Sequence, residues 1–296
     1  MGAAVREAKR RIRSTQSTKK ITRAFELIAA SRALKAQQRV QASRPYSNAI
    51  TAALSAASSD AGELVSDFLQ ERAELRNAAV IVVTSDRGLA GAYSANVLRQ
   101  AEELIARLQK DGVEPKLYTT GRKAGAYFRF RQRPVVESWA GFSDGPSYND
   151  AKVVADVAMT AFKNGDVDEI YVVYTDFVSA FTQRAEARRL LPLEVVEGES
   201  AEADTIPMYE YEPDPVTVLD QLLTRYIEVR IYNVFLEAAA SELAARRRAM
   251  STATENATEL IEQYTRQYNR ARQQEITQEL MEIVGAAEAF KGSRKS

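Results

Sequence analysis

Residues Leu219–Leu243 read LDQLLTRYIEVRIYNVFLEAAASEL, and their spacing decides the fold. Alternate steps of three and four pass through Leu219, Leu222, Tyr226, Val229, Asn233, Leu236, Ala240 and Leu243. The rhythm continues through Arg247, Met250, Thr254, Ala257, Ile261, Tyr264, Tyr268, Ala271 and Glu275, about eight heptads in all. A repeat sustained this far marks a coiled-coil seam, and Asn233 and Arg247 put into it polar groups of the kind that fix register. No proline or glycine lies between Val216 and Val284. One helix of roughly 100 Å is therefore expected, at ~1.5 Å per residue.

Such a helix needs a partner, and the N-terminal arm supplies it. From Ala3 to about Ser59 the chain is rich in Ala, Arg, Lys, Gln and Leu, all good helix formers, with Pro45 as the one expected bend. Apolar or small residues recur at Val5, Ala8, Ile12 and Thr15, then slip in phase to Ile21, Ala24, Ile28 and Ser31. The stripe is narrow, which suits one closely packed helix better than a broad globular face.

Between the arms the period changes. Ala79–Thr84, Lys116–Thr120, Val135–Glu137, Glu169–Tyr174 and Arg188–Val195 read as strands, alternating with helices over Tyr93–Gln109, Arg122–Arg129 and Ser147–Lys163. Alternation of this kind implies a mostly parallel sheet, and the short last connection implies an antiparallel edge. Trp139, the one tryptophan, is expected to pack at a sheet edge. The expected fold class is α/β plus long helices: an antiparallel two-helix coiled coil from the terminal arms with a central Rossmann-like α/β domain. The expected segments are a helix over 1–59, a linker over 60–77, the α/β domain over 78–196, an acidic loop over 197–215, the second long helix over 216–290 and a tail over 291–296. Glu197 to Asp214 carries seven acidic residues and no basic ones.

Laid antiparallel, the C-terminal helix outruns the N-terminal one by roughly 25 Å, at ~1.5 Å per residue. Its tip nevertheless carries Ile276, Leu280, Met281, Ile283, Val284 and Phe290, more apolar surface than a soluble monomer leaves in water. Another protein is expected to cover it.

Composition narrows the chemistry. The 296 residues include no cysteine and no histidine, and forty basic side chains balance forty acidic ones. Disulfides, thiolate nucleophiles and Cys-based zinc sites are excluded, and the commonest general base is missing. No metal or cofactor is expected. The longest strongly apolar run, Ala78–Val83, falls far short of the ~18 residues a spanning helix needs. The Arg-rich, acid-poor N-terminus resembles a transit peptide, but its helical pattern runs on past the length of one, so it reads as mature structure.

Thr84–Tyr93 reads TSDRGLAGAY where a strand meets a helix, a place where α/β folds hold phosphate. It matches neither GxGxxG nor GxxxxGK[ST], and a tight turn with Ser85 or Asp86 capping the helix explains it equally well. The nucleotide-binding alternative rests on Gly88–Gly91. The first 44 residues hold twelve Lys or Arg against Glu7 and Glu26, an electrostatic footprint for nucleic acid, anionic lipid or an acidic protein. Lys9, Arg10, Arg11 and Arg13 wind around the helix, with little aromatic interleaving, which argues against a nucleic-acid adaptor.

Several stretches, in order, then resemble one family: Lys9–Ser14 (KRRIRS), Lys19–Ala24 (KKITRA), Ser85–Gly91 (SDRGLAG), Tyr211–Pro215 (YEPDP), Ala249–Asn256 (AMSTATEN), Tyr268–Gln273 (YNRARQ) and Ile276–Glu279 (ITQE). The chain resembles the γ subunits of bacterial F-type ATP synthases from end to end. The resemblance implies a non-catalytic central rotor shaft inside an α3β3 hexamer, with subunit ε and the c-ring as further partners, one copy per complex and a peripheral place on the cytoplasmic face of the plasma membrane. By matching motif, Arg272 and Gln273 are implied to catch a β-subunit loop. Lys19, Lys20, Arg23, Asp86 and Arg87 are implied to lie in further β-facing segments. Tyr209, Glu210, Tyr211 and Glu212 match the foot on the c-ring, and Ile276, Leu280, Ile283 and Val284 the apolar bearing tip. The chain departs from the common pattern at Phe25, where the family usually has Met, and at Arg247, Gln274 and Ala286. The cysteine-bearing insert of chloroplast relatives is absent.

Overall fold

A computed structural model describes residues 2–60, 72, 74–179, 182–193, 212 and 215–293. The order is α1 (Ala3–Asp60), β1 (Asn77–Val83), α2 (Tyr93–Lys110), β2 (Glu114–Thr120), α3 (Arg122–Phe130), β3 (Val135–Trp139), α4 (Tyr148–Lys163), β4 (Glu169–Phe177), β5 (Gln183–Leu191) and α5 (Pro215–Ser293). The strands form one sheet in the order β3-β2-β1-β4-β5. All neighbours are parallel except β4 and β5, which run antiparallel, as the short connection implied. Trp139 ends the edge strand β3, stacked 6.3 Å from Tyr118. The last strand starts and stops earlier than expected, because Gln183–Arg188 pairs with β4 although its arginines and glutamate hide the strand rhythm.

The chain forms two compact units, Met1–Ile28 with Arg247–Ser296, and Ala29–Arg246. In the second, β1 is buried on both faces. Ala78, Val80 and Val82 pack against Val97, Leu104 and Ile105 of α2 and Phe128 of α3. On the other face Ala79, Ile81 and Val83 meet α4 through Val154, Ala155 and Phe162. Beside α4 lies α5, which sends Leu219, Leu223, Ile227, Ile231 and Phe235 onto that face. Each such side chain contributes about 1.5–3 kcal/mol by leaving water. Local signals set the boundaries: Ser147 and Asp150 close a capping box at the start of α4. The buried Asp168 accepts hydrogen bonds from Arg72 at 2.8 Å and from the backbone N–H groups of Arg76 and Asn77 at 2.7 and 2.9 Å, tying the start of β1 to β4.

The quoted stretch therefore serves two faces. While Leu219 to Ala238 cover the sheet, Leu236, Ala240 and Leu243 pack on Ala33, Ala36 and Val40 of α1. Small residues at Ala33, Ala36 and Ala240 allow the two backbones to approach closely. The heptad rhythm identified the α1 contact at Leu236, Ala240 and Leu243, but its earlier positions Leu219, Leu222 and Tyr226 lie with the sheet cluster, alongside Leu223, Ile227 and Ile231, which it did not mark.

The first unit is an antiparallel helix pair. Thr22 and Thr254 share a hydrogen bond of 2.8 Å, the Arg11 guanidinium lies 5.8 Å from the Tyr264 ring centre, and Gly2 sits against Glu275. On α5, Met250 and Ala257 are buried and Thr254, Ile261, Tyr264, Tyr268, Ala271 and Glu275 half-buried, the expected seam. Arg247, expected in it, is exposed. On α1 the expected phase slip is overturned. The seam continues through the half-buried Lys19, Thr22 and Glu26, whereas Ile21 and Ile28 are 56% and 50% exposed. Polar residues hold the seven-residue period here, so apolarity alone misplaced the inward face. The helix also runs through Pro45 without interruption.

Candidate functional site

The loop that follows β1 is built as a rigid projection. Asp86 carries it: the carboxylate accepts backbone N–H groups from Arg122 at 3.2 Å, Gly141 at 2.8 Å and Ser143 at 3.0 Å, while its own N–H donates to Ser143 Oγ at 2.9 Å. The expected cap of α2 is not formed; the N-cap is Ala92, with no side-chain bond, and Asp86 instead gathers two other segments, the start of α3 and the chain after β3. Ser85 turns to Ser94, with the hydroxyls 2.8 Å apart. At Gly121, φ is +88° and an added Cβ would lie 2.1 Å from the Thr84 carbonyl oxygen, so only glycine lets β1 and β2 end this close together.

From below, α5 supports the same loop. Buried Glu242 pairs with Arg246 at 2.5 Å, and Arg246 donates to the carbonyls of Gly88 and Arg87 at 3.4 and 3.5 Å. Burial pushes the Glu242 carboxyl above the usual carboxylate range, against the pull of Arg246. The result presents Arg87, Gly88 and Leu89 outward; Leu89 is 57% exposed with φ +65°. Arg87 has only a 3.6 Å ion pair with Asp144, which Arg32 holds at 2.7 Å. Leu89, Glu242 and Arg246 were not singled out by sequence reasoning. The i, i+4 spacing of Glu242 and Arg246 signals an ion pair but not its reach to the loop.

The crevice at the carboxyl ends of the strands, where an open sheet of this type takes a ligand, is filled by the chain itself. Phe142 and Phe235 meet at 5.5 Å, and buried Tyr93 donates to the Ala238 carbonyl at 3.2 Å. The space left is about 10 Å³, roughly one water. Among the described residues, the space beside Asp86 and Tyr93, which flank Gly88–Gly91, is thus far too small for a nucleotide.

The remaining predicted residues belong to other elements. Lys19 is half-buried in the α1 seam, Lys20 is exposed, and Arg23 pairs with Glu26 at 2.7 Å. Arg272 and Gln273 are adjacent and exposed on α5. Beyond the point where Glu275 meets Gly2, Ile276, Leu280, Ile283 and Val284 are 45%, 57%, 66% and 53% exposed. Glu212 is exposed, while Tyr209, Glu210 and Tyr211 lie outside the described residues. Among the described residues no helix is long and apolar enough to cross a membrane, and no cluster of acidic side chains is arranged to hold a metal ion.

Comparison with known proteins bears on the whole chain. A family profile described as ATP synthase matches residues 4–290. The chain is 59% identical over 295 residues to the "ATP synthase gamma chain" of Acidothermus cellulolyticus, covering 98% of each. It is 54% identical over 299 residues to that of Kineococcus radiotolerans, covering 99% of each. A chain in the Euglena gracilis mitochondrial ATP synthase structure titled OSCP/F1/c-ring superposes with a TM-score of 0.67 at 17% identity, covering 100% of this chain and 97% of that one. One in the Tetrahymena thermophila structure titled central stalk/c-ring gives 0.61 at 18% identity, over 79% and 99%.

Proposed function

The chain belongs to the ATP synthase gamma chain family, and on that premise we propose that it is the central rotor shaft of the complex, coupling rotation of a c-ring to ATP synthesis and hydrolysis on β subunits. It contributes no catalytic group itself. The observation that carries this reading is the helix pair whose longer member continues, exposed and apolar, past its partner. A shaft needs stiffness along its axis, a smooth apolar end that turns without directional bonds, and fixed lateral projections that push on neighbours. Directional hydrogen bonds at the tip would resist turning, whereas non-directional apolar contact does not.

In this reading Ile276, Leu280, Ile283 and Val284 turn in an apolar sleeve of an α3β3 hexamer. Arg272 and Gln273 catch a β loop as they pass. Lys19, Lys20 and Arg23, with the projection braced by Asp86 and carrying Arg87, meet further β segments. Tyr209–Glu212 stand on the c-ring beside subunit ε, which keeps one copy of the chain peripheral to the cytoplasmic face of the membrane. Nucleic acid has no part.

Reconstitution tests it. Purified α and β subunits are expected to gain rotary ATPase activity when this chain is added, and equal activity without it would refute the role. Replacing Arg272 and Gln273 by Ala is expected to lower turnover about tenfold or more while assembly is retained, since polar contacts of ~1–3 kcal/mol each are lost.

A further inference from the structure

A second concavity, unrelated to the proposed contacts, lies within the Ala29–Arg246 unit where α1, α5 and β5 meet. Its volume is about 120 Å³, against roughly 10–15 Å³ needed for one water. Arg44 of α1, Arg188 of β5 and Arg230 of α5 line it, with Ser43, Ser47 and Asn233 between them. Three guanidinium-bearing residues from three elements converge on one small polar space, and they are held there differently. Arg188 is anchored by Glu186 at 2.7 Å and lies over Tyr174; Arg230 lies over Tyr226 at 5.7 Å from the ring centre. Arg44 and Arg230 form no ion pair among the described residues.

We propose that this cavity is a binding site for a small tetrahedral oxyanion, a phosphate dianion taken up free or as the terminal phosphoryl group of a nucleotide. Guanidinium groups bind phosphate through paired parallel N–H bonds, which is why arginine is favoured over lysine in such sites. The Ser43 hydroxyl is already given to the Val40 carbonyl at 2.8 Å, so the donors beside the arginines come from an amide. That amide is Asn233: its Nδ2 donates to Ser47 Oγ at 3.0 Å while its Oδ1 is buried without a partner. Reversing the amide, whose two ends are alike in shape, lets Oδ1 accept from the Ser47 hydroxyl and frees the N–H groups to donate to an anion.

One acid shares the cavity. Glu237 faces Asp176, Tyr174, Arg188 and Arg230, and burial followed by Asp176 pushes its carboxyl above the usual range despite the two arginines. As a carboxylate it repels the anion; protonated, it donates to one.

The test is titration of the full chain at constant ionic strength with inorganic phosphate, and separately with ATP, using chloride as the control and phosphorus NMR and calorimetry as readouts. Saturable phosphate binding is expected, weakened at least tenfold by Arg44→Ala or Arg230→Ala and strengthened several-fold by Glu237→Gln. Binding of free phosphate alone, or of ATP with the same variant pattern, supports the site and identifies the source. A response that chloride reproduces, or that none of the three variants alters while each keeps the wild-type circular dichroism, overturns it. The rotor role does not depend on this outcome, since the two rest on different residues.

Discussion

Asp86 belongs to a recognisable motif yet performs a task that the motif does not announce. Its carboxylate gathers the start of α3 and the chain after β3 beneath the projecting loop. Asp86→Ala is expected to cost about 2–4 kcal/mol in chemical denaturation, because three N–H groups lose a charged acceptor that is only partly open to water. Asp86→Asn is expected to recover part of that. Glu228 is the second such residue, buried on α5 and bonded to Tyr148, Lys152 and Arg225. Burial raises its pKa, but the bonds from Tyr148, Lys152 and Arg225 outweigh it and the net value falls below the ordinary 4.5. A depressed folded-state pKa means that the stabilisation is complete above the ordinary value and disappears as pH falls through the folded one. Unfolding free energy measured from pH 7 to pH 3 is thus expected to fall in the acid limb, and Glu228→Gln to flatten that part of the fall. A steeper acid limb in the variant would contradict the assignment.

Among the elements, the long helices show what the sequence discloses and what it hides. The seam of α5 from Met250 to Glu275 was readable because Ile261, Tyr264 and Tyr268 keep the apolar period where nothing else competes for the helix. Along Leu219–Leu243 apolar residues serve both α1 and the sheet, so the two rows overlap and only one period can be extracted. On α1 the error runs the other way. Ile21, Phe25 and Ile28 are the most apolar residues nearby, yet the inward positions are Lys19, Thr22 and Glu26, selected by the pairing of Thr22 with Thr254. Hydrophobicity identifies a buried face only when no other protein is meant to cover the outer one. Ile28→Ser should change the chain's own stability by less than about 0.5 kcal/mol, and Ala240→Leu should destabilise it by about 1–3 kcal/mol through overpacking against Ala36 and Val40. Urea denaturation distinguishes the two, and equal losses would contradict the assignment of the faces. The mostly parallel direction of the sheet and its antiparallel edge were legible from strand–helix alternation, whereas the order β3-β2-β1-β4-β5 came only with the structure. The loop brace was not, because Asp86, Gly121, Ser143, Glu242 and Arg246 are distant in sequence and join only through the fold.

For the molecule as a whole, the zero net charge conceals a basic first arm and an acidic stretch over 197–214, which enter the sum with opposite signs. The self-filled crevice has a further consequence, one of timing. The face of the sheet carrying Ala79, Ile81 and Val83 is covered by α4 and α5 together, and α5, which is made after every strand, is also the helix on which α1 packs. Until α5 is made, a partly covered apolar sheet face and an unpaired helix wait together, the circumstance in which nascent proteins aggregate or recruit chaperones. A chain stopped at residue 214 is expected to bind a hydrophobic dye and to melt without a cooperative transition, whereas the full chain unfolds cooperatively. Supplying residues 215–296 as a separate polypeptide is expected to restore the transition, which would make completion of this fold dependent on the synthesis of α5.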